Sequence, residues 1–74
     1  MISMPRLAVL RYDTPDYAVL TPGDHVRCAV TGDVIPVRNL KYWSVEHQEA
    51  YRGAEECAAA ADAGGAARLK RQDR

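Results

Sequence analysis

The sequence predicts a small α+β domain in which three to four short antiparallel strands precede one C-terminal amphipathic helix. Apolar and polar residues alternate along His25 to Val30, which is typical of a half-buried strand. Pro-Gly and Gly-Asp pairs punctuate the first half of the chain and indicate tight turns. After Ser44 the apolar residues recur at helical spacing. Strands followed by a helix are characteristic of the α+β class.

The length of 74 residues allows one domain with a thin core. Chains below about 70–80 residues usually add disulfides, a metal or a second subunit. Phenylalanine is absent and alanines crowd the C-terminal third, so the core has to come from the first two-thirds of the chain. We expect a single domain over residues 6–63 and a flexible, charged tail over 64–74.

The first two predicted strands form a hairpin. Arg6 to Tyr12 favours a strand, Asp13–Asp16 has turn chemistry, and Tyr17 to Thr21 favours a second strand. The first of these strands carries apolar residues on both faces. This pattern indicates burial on two sides or at a contact between subunits.

A second pair of strands follows the break at Pro22-Gly23-Asp24, where Gly23 is free to take a positive φ angle. In the strand His25–Val30, the alternation directs Cys28 into the core. Thr31-Gly32-Asp33 is a tight turn, and the return strand from Val34 has to end, or lie at an edge, by Pro36.

The predicted helix begins after Ser44, a favourable N-cap residue, and has Glu46 in its first turn. Leu40–Trp43 adds a short extended segment before it. Gly53 lies inside this helix at a cost of about 1 kcal/mol, and Gly64-Gly65 ends it.

The block C-A-V-T-G-D-V-I-P-V-R-N-L-K-Y-W-S-V-E-H-Q-E-A-Y, from Cys28 to Tyr51, resembles a small bacterial family catalogued as domain of unknown function two-zero-nine-three. The upstream Y-A-V-L-T-P-G-D-H-V-R is similar to the same family, so the resemblance spans about Leu7 to Glu56. It implies a small α+β domain and transfers no catalytic residue.

The segment after Cys28 also resembles a degenerate zinc-knuckle turn of the treble-clef type, with Thr31 at the position of the second cysteine. Zinc needs several converging ligands. On the predicted strand His25 and Cys28 project to opposite faces, and His47 and Cys57 stand about 15 Å apart along the predicted helix. We therefore expect no metal and no cofactor.

Catalysis by a thiol would need a base beside it, and Cys28 with His47 is the one conceivable pair. The predicted burial of Cys28 favours an inert thiol instead. The sequence also carries no phosphate-binding loop or nucleotide fingerprint. We expect a protein that is not an enzyme.

Aromatic and basic residues interleave around the predicted helix start and form a candidate interaction surface: Arg38, Lys41, Tyr42, Trp43 and Tyr51. Such a surface suits weak binding of single-stranded nucleic acid. The alternative is that Trp43 and Tyr51 pack in the core between sheet and helix.

Ten acidic residues balance ten basic ones, so total charge does not indicate nucleic acid or an anionic membrane as a partner. The apolar run between Arg6 and Arg11 is too short for a signal-peptide core or a membrane span. These features predict a cytoplasmic protein, in which Cys28 and Cys57 are free thiols.

Self-association is the remaining prediction. We expect a homodimer, because the core is small, the edge beside Pro36 is exposed and the strand at Leu7–Tyr12 is apolar on both faces. Exchange of a hairpin between the subunits is a second way to form this dimer. The sequence thus predicts a self-associating module that binds a further, unknown protein. A weak nucleic-acid binder and a small zinc-binding protein are the alternatives.

Overall fold

The computed structural model describes residues 6–72. Residues 1–5, and residues 73–74 of the predicted tail, lie outside this range. The described residues confirm the α+β class, with six short strands in three antiparallel pairs, a 3₁₀ turn at Val37–Asn39 between the second and third pairs, and two α-helices at the end. The prediction of three to four strands and one helix was therefore too low on both counts.

The first hairpin is confirmed, and it pairs β1 (Val9–Arg11) with β2 (Ala18–Thr21). β1 is shorter than the predicted strand because the chain before it turns to a different partner. Leu7 forms a parallel bridge with His25, and the Ala8 amide donates to the His25 carbonyl at 2.7 Å. The segment just before β1 thus joins the first hairpin to the second.

The second hairpin pairs β3 (His25–Arg27) with β4 (Val34–Pro36), and Gly32 takes the positive φ of 79° in its turn. β3 ends earlier than the predicted Val30 because Cys28 begins the turn. The Cys28 carbonyl accepts a hydrogen bond from the Gly32 amide at 2.9 Å. Pro36 ends the return strand, as predicted.

Gly23 has a different role from the one predicted, because it is not among the glycines with positive φ. A Cβ atom at Gly23 would lie 2.4 Å from the backbone nitrogen of Ala8. Two backbones therefore cross too closely at this point for any side chain. Beside the crossing, the Asp24 amide donates to the Arg6 carbonyl at 3.0 Å.

The predicted helix start at Ser44 was wrong, since Ser44 ends a strand. β5 (Tyr42–Ser44) and β6 (Glu49–Tyr51) form a third hairpin. The Ser44 hydroxyl does accept an amide hydrogen bond, from His47 at 2.9 Å, but the bond closes the turn between the strands.

Helix α1 (Ala54–Ala63) begins nine residues later than predicted, directly after Gly53. Gly53 is extended, with φ of −160°, and therefore precedes the helix instead of lying inside it. Ala60 is the one fully buried residue of α1, which packs against β5 and β6. The anchoring aromatics Trp43 and Tyr51 belong to the hairpin and not to the helix.

Gly64 and Gly65 end α1, as predicted, with φ angles of 88° and 115°. The chain then forms a second helix, α2 (Ala66–Gln72), where the sequence shows no packing pattern. The Glu49 carboxylate accepts hydrogen bonds from the Ala66 amide at 2.8 Å and from the Tyr51 hydroxyl at 2.7 Å. This bridge fastens the start of α2 to β6.

The core lies where the three hairpins meet. Val26 and Ile35 face each other across the second hairpin, and both are buried. The other members of the cluster come from the segment around β1, from the turns and from β6: Ala8, Leu10, Tyr12, Cys28, Leu40 and Ala50. The strand β2 contributes no buried residue and lies on the outside.

Candidate interaction surface

The exposed aliphatic residues concentrate on the first hairpin. Leu7, Val9, Val19 and Leu20 are 55%, 46%, 54% and 60% exposed, respectively. We refer to these four residues as the apolar hairpin patch. Apolar side chains that are left exposed in a group are a feature of interaction sites.

The two faces of β1 explain why Leu7 and Val9 are exposed. Ala8 and Leu10 are buried against the core, while the alternate residues Leu7 and Val9 are exposed. The segment therefore carries apolar residues on both faces, as predicted, but within one chain only the face with Ala8 and Leu10 is covered. The other face remains in solvent.

The strand β2 is exposed along its whole length. Val19 lies opposite Leu10 and Thr21 lies opposite Val9, so Leu20 is an additional residue at a bulge. Among residues 6–72, the only strand that pairs with β2 is β1. The outer edge of β2 therefore presents backbone donors and acceptors to solvent.

The residues of the predicted aromatic-basic surface do not share one environment. Arg38 and Lys41 are exposed, and Tyr42 is the most exposed of the three aromatics. Trp43 is half-buried, and Tyr51 is only 1% exposed. Of the three aromatics, Tyr42 is thus the one best placed to stack on a ligand.

Trp43 is held by an aromatic cluster. Its ring stacks on Tyr12 with 6.2 Å between centroids and meets the edge of Tyr17 at 5.6 Å. The indole Nε1 donates to the Asp13 carbonyl at 2.9 Å. These contacts link the third hairpin to the first, and they provide a hydrogen-bond acceptor for the indole N–H.

Three of the five predicted surface residues line one of two clefts. An open cleft of about 580 Å³ has Arg38 and Tyr17 in its wall, together with Asp24, Pro36 and Val37. A second cleft, of about 180 Å³, includes Trp43 and Tyr51. Tyr17 is a wall residue that the sequence interpretation placed simply at the start of a strand.

Cys28 is in the core, as the alternation predicted, and is 3% exposed. Burial raises the pKa of its thiol, but hydrogen bonds from Thr31 and from the amides of Arg52 and Val30 outweigh burial and lower the pKa. The Thr31 amide lies 3.4 Å from the sulfur. The turn thus has a knuckle-like arrangement of amides around one cysteine, with Thr31 as a further donor.

Cys57 and His47 do not share a helix, contrary to the prediction. His47 lies in the turn of the third hairpin and Cys57 on α1, and both line the 180 Å³ cleft. Both Cys28 and Cys57 are free thiols. Within residues 6–72, no group of three or more His, Cys, Asp or Glu side chains is arranged to hold a metal ion.

The His25 side chain forms a hydrogen bond with its sequence neighbour Asp24. Its Nδ1 lies 2.6 Å from the Asp24 carboxylate, which also accepts a hydrogen bond from the Arg6 amide at 3.1 Å. These contacts lower the pKa of Asp24, and the hydrogen bond from His25 has the largest effect. The group fixes the crossing point of the first two hairpins.

Two features of the apolar hairpin patch are visible in the sequence. The run from Tyr17 to Gly23 carries no charge, and it pairs with a strand that is apolar on both faces. The sequence could not show that β2 contributes nothing to the core.

For the described part of the chain, neither helix has the length and apolar character needed to cross a bilayer.

The fold and the patch define a class: a small α+β domain of three hairpins and two helices, with an uncovered apolar hairpin. The chain belongs to a bacterial family described as "Uncharacterized protein conserved in bacteria (DUF2093)", whose model matches residues 19–60. The predicted family resemblance is thus confirmed. Comparison with curated proteins and with solved structures yields no significant match.

Proposed function

We propose that this chain is a non-enzymatic, cytoplasmic interaction module that self-associates as a homodimer through the apolar hairpin patch. The observation that carries the proposal is the exposure of four aliphatic residues on one hairpin, in a chain whose core is small. Burial of such side chains against a partner removes apolar surface from water and is favourable. The same association supplies the second subunit that chains of this size commonly need.

Two further observations support the class of function and the compartment. Cys28, the residue considered as a nucleophile, is only 3% exposed, and this burial supports a structural role for its thiol. Two free thiols in so small a chain are typical of a reducing compartment. A further protein partner would then bind the dimer on a different surface.

The test compares two valines of equal exposure on different hairpins. Val19 on β2 and Val34 on β4 are both 54% exposed, so Val34→Lys is a matched control for Val19→Lys. We expect Val19→Lys to weaken dimerisation by at least about 10-fold, since a lysine in the interface must be desolvated. Val34→Lys should leave the dimerisation constant unchanged.

Sedimentation equilibrium measures the constant for all three proteins, and circular dichroism checks that both variants remain folded. Two results would count against the proposal. One is a wild-type chain that is monomeric throughout the concentration range. The other is an equal loss of dimer in both lysine variants, which would indicate a general effect of charge and not a contact at the patch.

A further inference from the structure

We infer that the strand covering β2 is β2 of a second copy, aligned antiparallel along its open edge. This inference rests on the proposed self-association and specifies its geometry. The resulting sheet would have four strands, in the order β1, β2, β2 of the partner, β1 of the partner. Because the two copies are related by a two-fold axis, each contributes the same surface.

The backbone of β2 supports edge pairing. An antiparallel strand bonds to one neighbour with alternate residues and turns the remaining N–H and C=O groups outward. Within residues 6–72, β2 has β1 as its one strand neighbour, so its other side is open. Unpaired edges of this kind are templates for another strand.

The other strands have a charge, a proline or a helix contact that β2 lacks. Natural edge strands are commonly blocked by charged side chains or by proline. β1, β3 and β6 each include a charged residue, β4 ends in Pro36, and β5 packs against α1. β2 reads Ala-Val-Leu-Thr and includes neither a charge nor a proline.

The chemistry of this edge selects its partner. A short, extended, uncharged and aliphatic strand suits the edge of β2, because the residues between Asp16 and Asp24 carry no charge. The β2 strand of a second copy meets each of these conditions. In the two-fold arrangement Val19 and Leu20 of one chain approach the same residues of the other, and no like charges meet.

The size of the sheet gives a reason for the pairing. A two-stranded hairpin is marginally stable alone, and three or more strands give much greater stability. Joining two hairpins through β2 converts two marginal pairs into one four-stranded sheet. The bulge at Leu20 limits the straight part of the strand, so we expect few hydrogen bonds and a dimer of modest affinity.

Amide hydrogen exchange on the full chain tests the inference, at a dilute and at a concentrated protein level under the same conditions. We expect the outward-facing amides of Ala18–Thr21 to exchange at least about 5-fold more slowly in the concentrated sample. Amides of β4 serve as the internal control and should show no change. In the Val19→Lys variant the effect of concentration should disappear.

Light scattering on the same samples separates the possible failures. If a dimer forms while the β2 amides exchange at an unchanged rate, edge pairing is wrong and the proposed self-association stands. If the chain is monomeric in both samples, both proposals are wrong, and the edge of β2 is open to a strand from a different protein.

Discussion

Two glycines illustrate how a single residue can be required for different physical reasons. Gly32 was placed correctly by the sequence, because a tight turn commonly needs a positive φ. Gly23 was also placed in a turn, but it is required because another backbone passes against it. Local turn chemistry reveals the first requirement and cannot reveal the second.

Substitution by alanine should separate these two reasons. Gly23→Ala would place a methyl group 2.4 Å from the Ala8 nitrogen, and we expect a loss of about 3 kcal/mol or more in the free energy of unfolding. Gly32→Ala meets open space and should cost about 1–2 kcal/mol, from the positive φ alone. Urea denaturation gives both values, and a smaller cost for Gly23→Ala would contradict the close crossing.

Asp24 links acidity to stability at the same crossing. The hydrogen bonds that its carboxylate accepts, of which the one from His25 has the largest effect, hold the pKa of Asp24 below the ordinary value of 3.8. The carboxylate therefore stabilises the fold above the pKa of the unfolded chain, and this contribution is lost as pH falls through the lower, folded-state pKa. We expect Asp24→Asn to be less stable than wild type at neutral pH and to lose less stability on acidification.

Denaturation measured between about pH 6 and pH 2.5 checks this expectation. Asp62→Asn is the control, because Asp62 is an exposed carboxylate within α1. If Asp24→Asn and Asp62→Asn changed the acid dependence equally, the contacts of Asp24 with His25 and Arg6 would have no special effect.

At the scale of elements, the sequence predicted the first two hairpins and missed the third. Val45, Ala50 and Tyr51 have spacing that suits a helix, and Ser44 has cap chemistry, so local signals favoured the wrong element. The hairpin depends instead on Gln48, whose amide bonds to the backbone of Tyr12 36 residues earlier. A contact so distant in sequence leaves no local signal.

Gln48 should therefore determine the stability of the third hairpin. Its side chain accepts from the Tyr12 amide at 2.9 Å and donates to the Tyr12 carbonyl, and its φ is 52°. We expect Gln48→Ala to lower the free energy of unfolding by about 2 kcal/mol, because both bonds to Tyr12 are lost.

Gln48→Gly is the matched comparison for that variant. It loses the same side-chain bonds but relieves the positive φ, which is worth about 1 kcal/mol, so it should be the less damaging change. Equal stability of both variants and wild type in urea denaturation would show that the contact with Tyr12 does not hold the turn.

At the scale of the whole molecule, the sequence predicted the α+β class and the apolar character of the first hairpin. It also predicted the core position of Cys28, although this residue begins the turn after β3 instead of lying on the strand. It could not predict which face of the first hairpin would be covered. That outcome depends on how the three hairpins meet, which involves contacts far apart in the chain.

The central claim is that a second copy of the chain binds to the exposed side of the first hairpin. The most direct measurement is the mass of the unmodified protein by light scattering across a dilution series that extends to about 1 mM, since interfaces of small area are often weak. The account predicts a mass that rises with concentration toward twice the 8.2 kDa of one chain. A mass that stays at 8.2 kDa over the whole series would contradict it.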